Sequence, residues 1–228
     1  MNLYKNVERN KDGHAEDLLV NNEIAICQYF MDTEKVNKLH FVRDEIKFSL
    51  DPEVHEKIKE VVSKILIRYR EFISSPASVK YHGNYDGGLF DHSLAVYLAA
   101  IRSSNEYGIK PSDVNFIACF FHDLCKVGKY IAMPEFRENY TMVHYEYDPD
   151  YEGIEHGAES LRRLLTIETI KDIEEVLPKS WQYAIAYHMG VFGVSNEEMR
   201  NFSSMSDKYP EILLLHHADM IATKIYKI

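Results

Sequence analysis

Ten Gly and seven Pro are spread over the 228 residues of this chain, too few breakers for the frequent tight turns of a many-stranded protein. Long uninterrupted segments must therefore form, and their periodicity is helical. From Asp51 to Ile73, Asp-Pro supplies an N-cap and a first helical position. Val54, Ile58, Val61, Val62, Ile65, Leu66, Tyr69 and Phe72 follow at 3.6-residue spacing. A second helix is predicted from about Gly88 to Tyr107, with Leu89, His92, Val96 and Ala99 down one side before Gly108. A third is predicted to start at Pro111-Ser112-Asp113 and to carry Val114, Ile117, Ala118, Phe121, His122 and Cys125 on adjacent rows. Tyr130 to Tyr151 breaks this rhythm: Tyr140, Met142, His144 and Glu146 alternate ahead of Asp148-Pro149-Asp150, the pattern of a loop or short hairpin. Helical patterns resume at about Ile154 to Leu165, Thr169 to Val176, Ser180 to His188 and Glu211 to Tyr226. Ala15 to Met31 is amphipathic and Val42 to Leu50 reads as extended. The expected fold is all-α, a compact helical bundle with a small β-hairpin or loop flap.

Composition narrows the class of protein. With 46% apolar and 27% charged residues the chain reads as one globular domain. Its net charge of −10 repels nucleic-acid backbones and anionic lipid. Cys27, Cys119 and Cys125 are odd in number and form no C-x-x-C pair, so a reducing cytoplasm is the expected compartment. The opening segment MNLYKNVERNKDGH has no apolar core of a signal peptide, and no apolar run approaches the roughly 18 residues of a membrane helix.

The excess is in histidine, eleven in all. His92, His122, His156, His188 and Asp219 are separated by 30, 34, 32 and 31 residues, one helix plus one connection each. In an up-and-down helical arrangement, one inward polar residue per helix converges on one level of the core. A lone inward histidine is more often a core residue bonded to a carbonyl. Several imidazoles and a carboxylate together make a metal site, because a divalent cation compensates the buried charge. Asp123, beside His122, adds a carboxylate able to bridge two ions.

These residues carry a resemblance. Gly87-Gly-Leu-Phe-Asp-His92-Ser, His122-Asp-Leu-Cys-Lys126, Glu155-His156-Gly, Tyr187-His188-Met-Gly190 and His217-Ala-Asp219 follow the order H…HD…H…H…D, which resembles the HD-domain superfamily of metal-dependent phosphohydrolases. The likeness spans about Tyr81 to Thr223 and is similar to the two-metal type. It implies an HD-type catalytic domain over residues 51–228, with residues 1–50 as a helical extension packed on the core. It also implies a first ion on His92, His122, Asp123 and Asp219, and a second held by the bridging Asp123 with His156 and His188. Lys126 matches the family's lysine after HD, with Cys125 where a small residue is usual, and His82 matches a polar entry segment that reaches toward substrate. His14, His40, His55, His144 and His216 match no motif position and are expected at the surface or in loops.

The chemistry expected of such a site is metal-activated water attacking phosphorus, with Asp123 as the bridge and Lys126 as a mobile point charge on the phosphoryl oxygens. One or two divalent transition-metal ions are expected. Imidazole-rich ligands favour Fe or Mn, with Ni, Co and Zn also suited. The acidic chain points to a small phosphoester, a nucleotide or cyclic nucleotide, over a polymer, although a polymer end stays open. Lys129 and Arg137, in the Tyr130–Tyr151 segment between two ligand helices, are candidate substrate contacts. Two alternatives stand beside this reading: the HD-fold di-iron oxygenases carry the same ligand order, and a non-catalytic metal- or nucleotide-binding module would retain it too. Oligomeric state is not legible.

Overall fold

The computed structural model describes residues 15–31, 37–49, 51–137, 140–167, 173–191 and 196–228, with the side chains of 15–20, 137, 196 and 198 outside that description. His14 lies outside the described residues, as does the start of the helix expected from Thr169. In chain order the helices are α1 (Ala15–Met31), α2 (Lys38–His40), α3 (Pro52–Arg68), α4 (Gly88–Ser103), α5 (Phe116–Phe121), α6 (His156–Leu165), α7 (Ile173–Val176), α8 (Lys179–Tyr187), α9 (Asn196–Lys208) and α10 (Glu211–Ile221). A single antiparallel hairpin, β1 (Tyr130–Arg137) and β2 (Tyr140–Tyr147), stands between α5 and α6, in register from Tyr130 opposite Tyr147 to Arg137 opposite Tyr140. Among the described residues the fold is mostly helical, with this small two-stranded sheet.

Local chemistry explains the boundaries. Asp51 caps α3, its Oδ1 accepting from the amides of Glu53 at 2.9 Å and Val54 at 3.2 Å, with Pro52 in the first turn. The expected continuation to Ile73 is a separate 3-10 turn, Arg70–Ile73, because Tyr69 leaves helical geometry at φ −117°, ψ 55°. The second expected helix likewise tightens into 3-10 geometry over Ser104–Tyr107 before Gly108. The third departs most. Val114 and Asn115 are extended, and Asn115 Oδ1 caps a new helix by accepting from Ala118 N at 2.9 Å, so α5 is only six residues long. It ends at Phe121, and Leu124–Lys126 is a 3-10 turn. Phe41–Glu45 is a π-helical turn where extended chain is expected from Val42; the backbone becomes extended at Ile46, φ −86°, ψ 128°, and Leu50 lies outside the described residues. Helix α9 carries no sequence expectation at all.

Helix α4 is the centre of the bundle. Apart from Asp91, every residue from Gly88 to Ile101 is buried, so the helix is covered on all sides. It packs against α10, α5 and α1; α10 packs on α8, and α8 on α6. Phe72, Phe90, Phe116, Phe120 and Phe121 form a ring cluster beneath it, with neighbouring centroids 4.9–6.5 Å apart. Glycines permit close approaches at two places beside the candidate ligand histidines. Gly87 has φ +81°, and a Cβ on Gly88 would sit 2.1 Å from Gly83 O, which lets the entry segment fold against the start of α4. At Gly157, next to His156, a Cβ would lie 2.4 Å from Ala186 O and 2.5 Å from Ile185 O on α8.

Gly157→Ala must therefore push α6 off α8. Overpacking against backbone costs about 1–3 kcal/mol, and each kcal/mol lowers Tm by roughly 2–4 °C in a domain of this size. Thermal unfolding followed by circular dichroism checks it; an unchanged Tm would mean that the two helices are not held at this distance.

Candidate metal centre

The candidate ligand histidines sit on α4 (His92), at the end of α5 (His122), at the start of α6 (His156) and just past α8 (His188), with Asp219 on α10. The helix break after Phe121 matters here. Adjacent residues on a helix diverge by about 100°, yet His122 Nε2 lies 3.4 Å from Asp123 Oδ2 because the chain turns between them. Asp123 is the hub. Its Oδ2 is 3.6 Å from His92 Nε2 and 2.6 Å from Lys126 Nζ. Its Oδ1 meets His156 Nε2 and lies 3.5 Å from His188 Nε2. His92 Nε2 is 3.1 Å from Asp219 Oδ1. One carboxylate thus faces four imidazoles, two on each oxygen.

The opposite edge of three of these rings fixes their chemistry. His92 Nδ1 faces Ile228 O at 3.1 Å, His122 Nδ1 faces Cys119 O at 2.8 Å and His188 Nδ1 faces Ile185 O at 2.7 Å. A carbonyl can only accept, so each Nδ1 carries the proton and donates it. The ring's lone pair is then left on Nε2, turned to Asp123. The Nε2 atoms of His92, His122 and His188 are buried and have no hydrogen-bond partner among the described residues. Buried nitrogens left without a donor are costly in a protein interior. Imidazoles oriented by a backbone carbonyl through the far nitrogen are the arrangement a metal ion uses. The donor set therefore fits divalent cations: His92, His122, Asp123 and Asp219 on one side, and Asp123, His156 and His188 on the other.

Electrostatics agree with this arrangement. Burial opposes ionisation of Asp123, but Lys126 above all, with His122 and His156 beside it, outweighs that and holds the carboxyl well below the usual range. Burial likewise resists ionisation of Asp219, and its interactions with His92 and His122 win. Burial lowers the pKa of His156 despite Asp123; at His122 the attraction of Asp123 prevails and raises it. With neutral imidazoles, Asp123 and Asp219 carry two negative charges against the single positive charge of Lys126.

Other candidates fall variously. Lys126, expected as a mobile charge, is 8% exposed and paired with Asp123. His82 packs its ring on His92 at 4.9 Å, leaves Nδ1 without a partner and is pushed down to about 4 by burial, then by His92 and Lys126. The structure does not bring Lys129 to the cluster: its ammonium lies over the rings of Tyr147 and Tyr151, at 5.9 and 5.8 Å. The Arg137 side chain lies outside the described residues. His216 and His55 are not the surface residues expected: His216 Nδ1 bonds His188 O at 2.6 Å, and His55 Nδ1 accepts from Phe48 N at 3.1 Å.

Sequence reasoning missed two neighbours. Cys125 lies with Asp123 and His156 within metal-sharing distance, but burial pushes its thiol up to about 11, so it is a poor thiolate at neutral pH. Tyr130, at the hairpin base, is held un-ionised by burial and by the charge of Asp123. A tyrosine four residues after Lys126 was the available signal.

A segment of the chain is similar to a curated protein. Over 106 residues it is 31% identical to dihydroneopterin 2',3'-cyclic phosphate phosphodiesterase of Methanocaldococcus jannaschii, a match that takes in 42% of this chain and 39% of that relative. No protein-family profile matches the chain, and no solved structure does. Among the described residues no helix is long and apolar enough to cross a membrane.

Helix α6 contributes a second charged group. Glu159 is 1% exposed, and its carboxylate accepts from Arg162 Nε at 2.8 Å and Nη2 at 2.7 Å, and from Arg163 Nε at 2.8 Å. These bonds, Arg162 foremost, draw its pKa down from 4.5 to about 2. A carboxylate whose folded pKa is depressed stabilises the fold above its unfolded value and loses that contribution as pH falls through the folded one. Stability should thus decline from about pH 4.5 toward 2, and Glu159→Gln should be less stable at pH 7 but lose less across that window. Urea unfolding at pH 7 and pH 3 gives the comparison; equal losses in both proteins would remove Glu159 from the acid response.

Proposed function

We propose that the chain is a metal-dependent phosphohydrolase, a phosphodiesterase of small phosphoesters such as nucleotides or cyclic nucleotides. The observation that carries this reading is the convergence of the Nε2 atoms of His92, His122, His156 and His188 on the two oxygens of Asp123, with three of the rings tied by Nδ1 to backbone carbonyls. The partial similarity to a protein named for hydrolysing a cyclic phosphate supports the same class. His92, His122, Asp123 and Asp219 would hold one ion, and Asp123, His156 and His188 a second; iron or manganese suits these ligands. Divalent cations there supply Lewis acidity and a water of lowered pKa.

The chain's own groups do the rest. Lys126 holds an ammonium against Asp123, where it can share the charge that develops on phosphoryl oxygens. His82 stays neutral at pH 7 and offers a ring nitrogen beside His92, suited to a substrate oxygen. Substrate would enter past the partly exposed side chains of His156 and Asp219, at 19% and 21%. The hairpin and its exposed Tyr140 and Tyr147 would engage the non-reacting part of the substrate.

Two measurements test the reading. Phosphate-ester release from 2',3'-cyclic nucleotides and a nitrophenyl phosphodiester should proceed equally under air and under nitrogen, and should stop on chelation. Turnover that needs oxygen and releases no hydrolysed ester would replace the hydrolase with an oxygenase. Metal per chain by elemental analysis should fall from two to none in Asp123→Ala and only to one in His156→Ala or His188→Ala; two ions retained in Asp123→Ala would refute the bridge.

Lys126→Met separates charge from packing, because the stem is kept and only the ammonium is lost. In the metal-loaded protein kcat should drop about a hundred-fold, on the scale of removing one charge-stabilising donor, with Tm unchanged. In the metal-free protein Tm should fall as well, since Asp123 is then left buried without its partner. Wild-type kcat in Lys126→Met would remove the lysine from the reaction.

A further inference from the structure

Arg163 lies on α6, seven residues after His156. Its guanidinium turns to the backbone that follows Asp123. Nη1 donates to Leu124 O at 3.1 Å and to Val127 O at 2.8 Å, Nε donates to Glu159 at 2.8 Å, and Nη2 reaches Tyr151 Oη at 3.4 Å. The plane is flanked by the rings of Tyr69 and Tyr151, at 5.8 and 5.7 Å. The side chain is only 13% exposed. The two carbonyls bracket Cys125 and Lys126, and the first of these is anchored as well: Cys125 N donates to Ser160 Oγ at 3.1 Å, and Tyr151 Oη donates to Cys125 O at 2.7 Å. Both peptide groups of Cys125 and the carbonyls on either side of the Cys125-Lys126 pair are thus held by α6 and Tyr151. The Lys126 side chain leaves this clamped backbone and ends 2.6 Å from Asp123 Oδ2.

We propose that Arg163 is a positioning residue for Lys126: its planar fork fixes the 124–127 turn so that the ammonium is delivered to Asp123 and to the phosphoryl oxygens beside it. The proposal rests on the phosphohydrolase reading. An ammonium cannot replace the fork, since matching four acceptors in one plane is a property of guanidinium. Arg163→Lys keeps the charge beside buried Glu159 and gives up the bracket, which makes it the informative variant.

In the metal-loaded protein, Arg163→Lys should keep its ions and lower kcat about ten- to a hundred-fold with little change in KM, because misplacement of the order of 1 Å costs that much. A structural residue could lower activity too, so the decisive readout is a double-mutant cycle. Arg163→Lys should add no further loss to Lys126→Met, whereas independent roles would multiply. Additive losses, or wild-type kcat in Arg163→Lys, overturn the proposal. A readout without turnover keeps it separate from the hydrolase reading. Amine labelling with acetic anhydride, read by peptide mass spectrometry, should be slow at Lys126 in the wild type. It should rise several-fold at Lys126 in Arg163→Lys, while Lys224 and other remote lysines keep their rates. If no phosphoester is turned over, the hydrolase reading fails. Unchanged Lys126 labelling then overturns the positioning role, and increased labelling leaves it standing as a role in holding the lysine. Should Arg163→Lys fail to fold, Tyr151→Phe removes one hydroxyl from the same clamp; raised Lys126 labelling supports the proposal and wild-type labelling overturns it.

Discussion

A carboxylate at the centre of an apolar helical bundle has to be compensated, and the arrangement of this protein follows from how Asp123 is. Its side chain is 3% exposed, and an unpaired charge so placed would cost several kcal/mol. Lys126 supplies one positive charge. The four imidazoles supply nitrogens, not charge, as long as they are neutral, and Asp219 adds a second negative charge to the same cluster. The surplus is what a cation would neutralise. The rings are oriented in a way that would suit such a cation: by donating Nδ1 to Cys119 O, Ile185 O and Ile228 O, three histidines are held with lone pairs turned inward.

That requirement reaches into the helix packing. His188 is oriented by Ile185 O, and Ile185 O lies against Gly157, the residue after His156. The separation of α6 from α8 therefore sets two ligands at once, and only a residue without Cβ allows it. At the other end of the cluster, Gly83, Gly87 and Gly88 let the His82 segment fold onto the start of α4, where His82 covers His92. The ligands are carried by rigid elements and their neighbours by tight turns, an arrangement that suits a site whose geometry must not relax.

What was legible in the sequence was whatever repeats. Periodic apolar faces marked α3 and α4, and the even spacing of His92, His122, His156 and His188 marked residues that do converge. The break inside the third helix was present as an Asn three residues before Ala118, a capping signal overridden by the apolar row around it. Helix α9 escaped because its apolar residues, Met199, Phe202 and Met205, are outnumbered by polar ones along its length. Lys126 was misjudged as mobile because no local pattern says that a lysine will be buried against an aspartate three residues back. The Arg163 fork was beyond reach altogether: an arginine on a short amphipathic helix reads as solvated, and its acceptors lie 39 and 36 residues away.

The hairpin joins these two levels. Its strands face solvent on both sides, and a two-stranded sheet standing alone is marginal in water. What locates it is its base. Asp148 N donates to Lys129 O at 3.0 Å, Lys129 sits over Tyr147 and Tyr151, and Tyr151 bonds Cys125 O. Tyr151 also flanks Arg163, so the residue that anchors the hairpin is the one that completes the clamp on the Lys126 turn. Tyr151 thus links the hairpin base, through its hydrogen bonds to Cys125 O and with Arg163, to the backbone from which Lys126 extends. On the proposed phosphohydrolase reading, recognition of the remote part of a substrate and placement of the Lys126 charge would be carried by one shared contact, Tyr151.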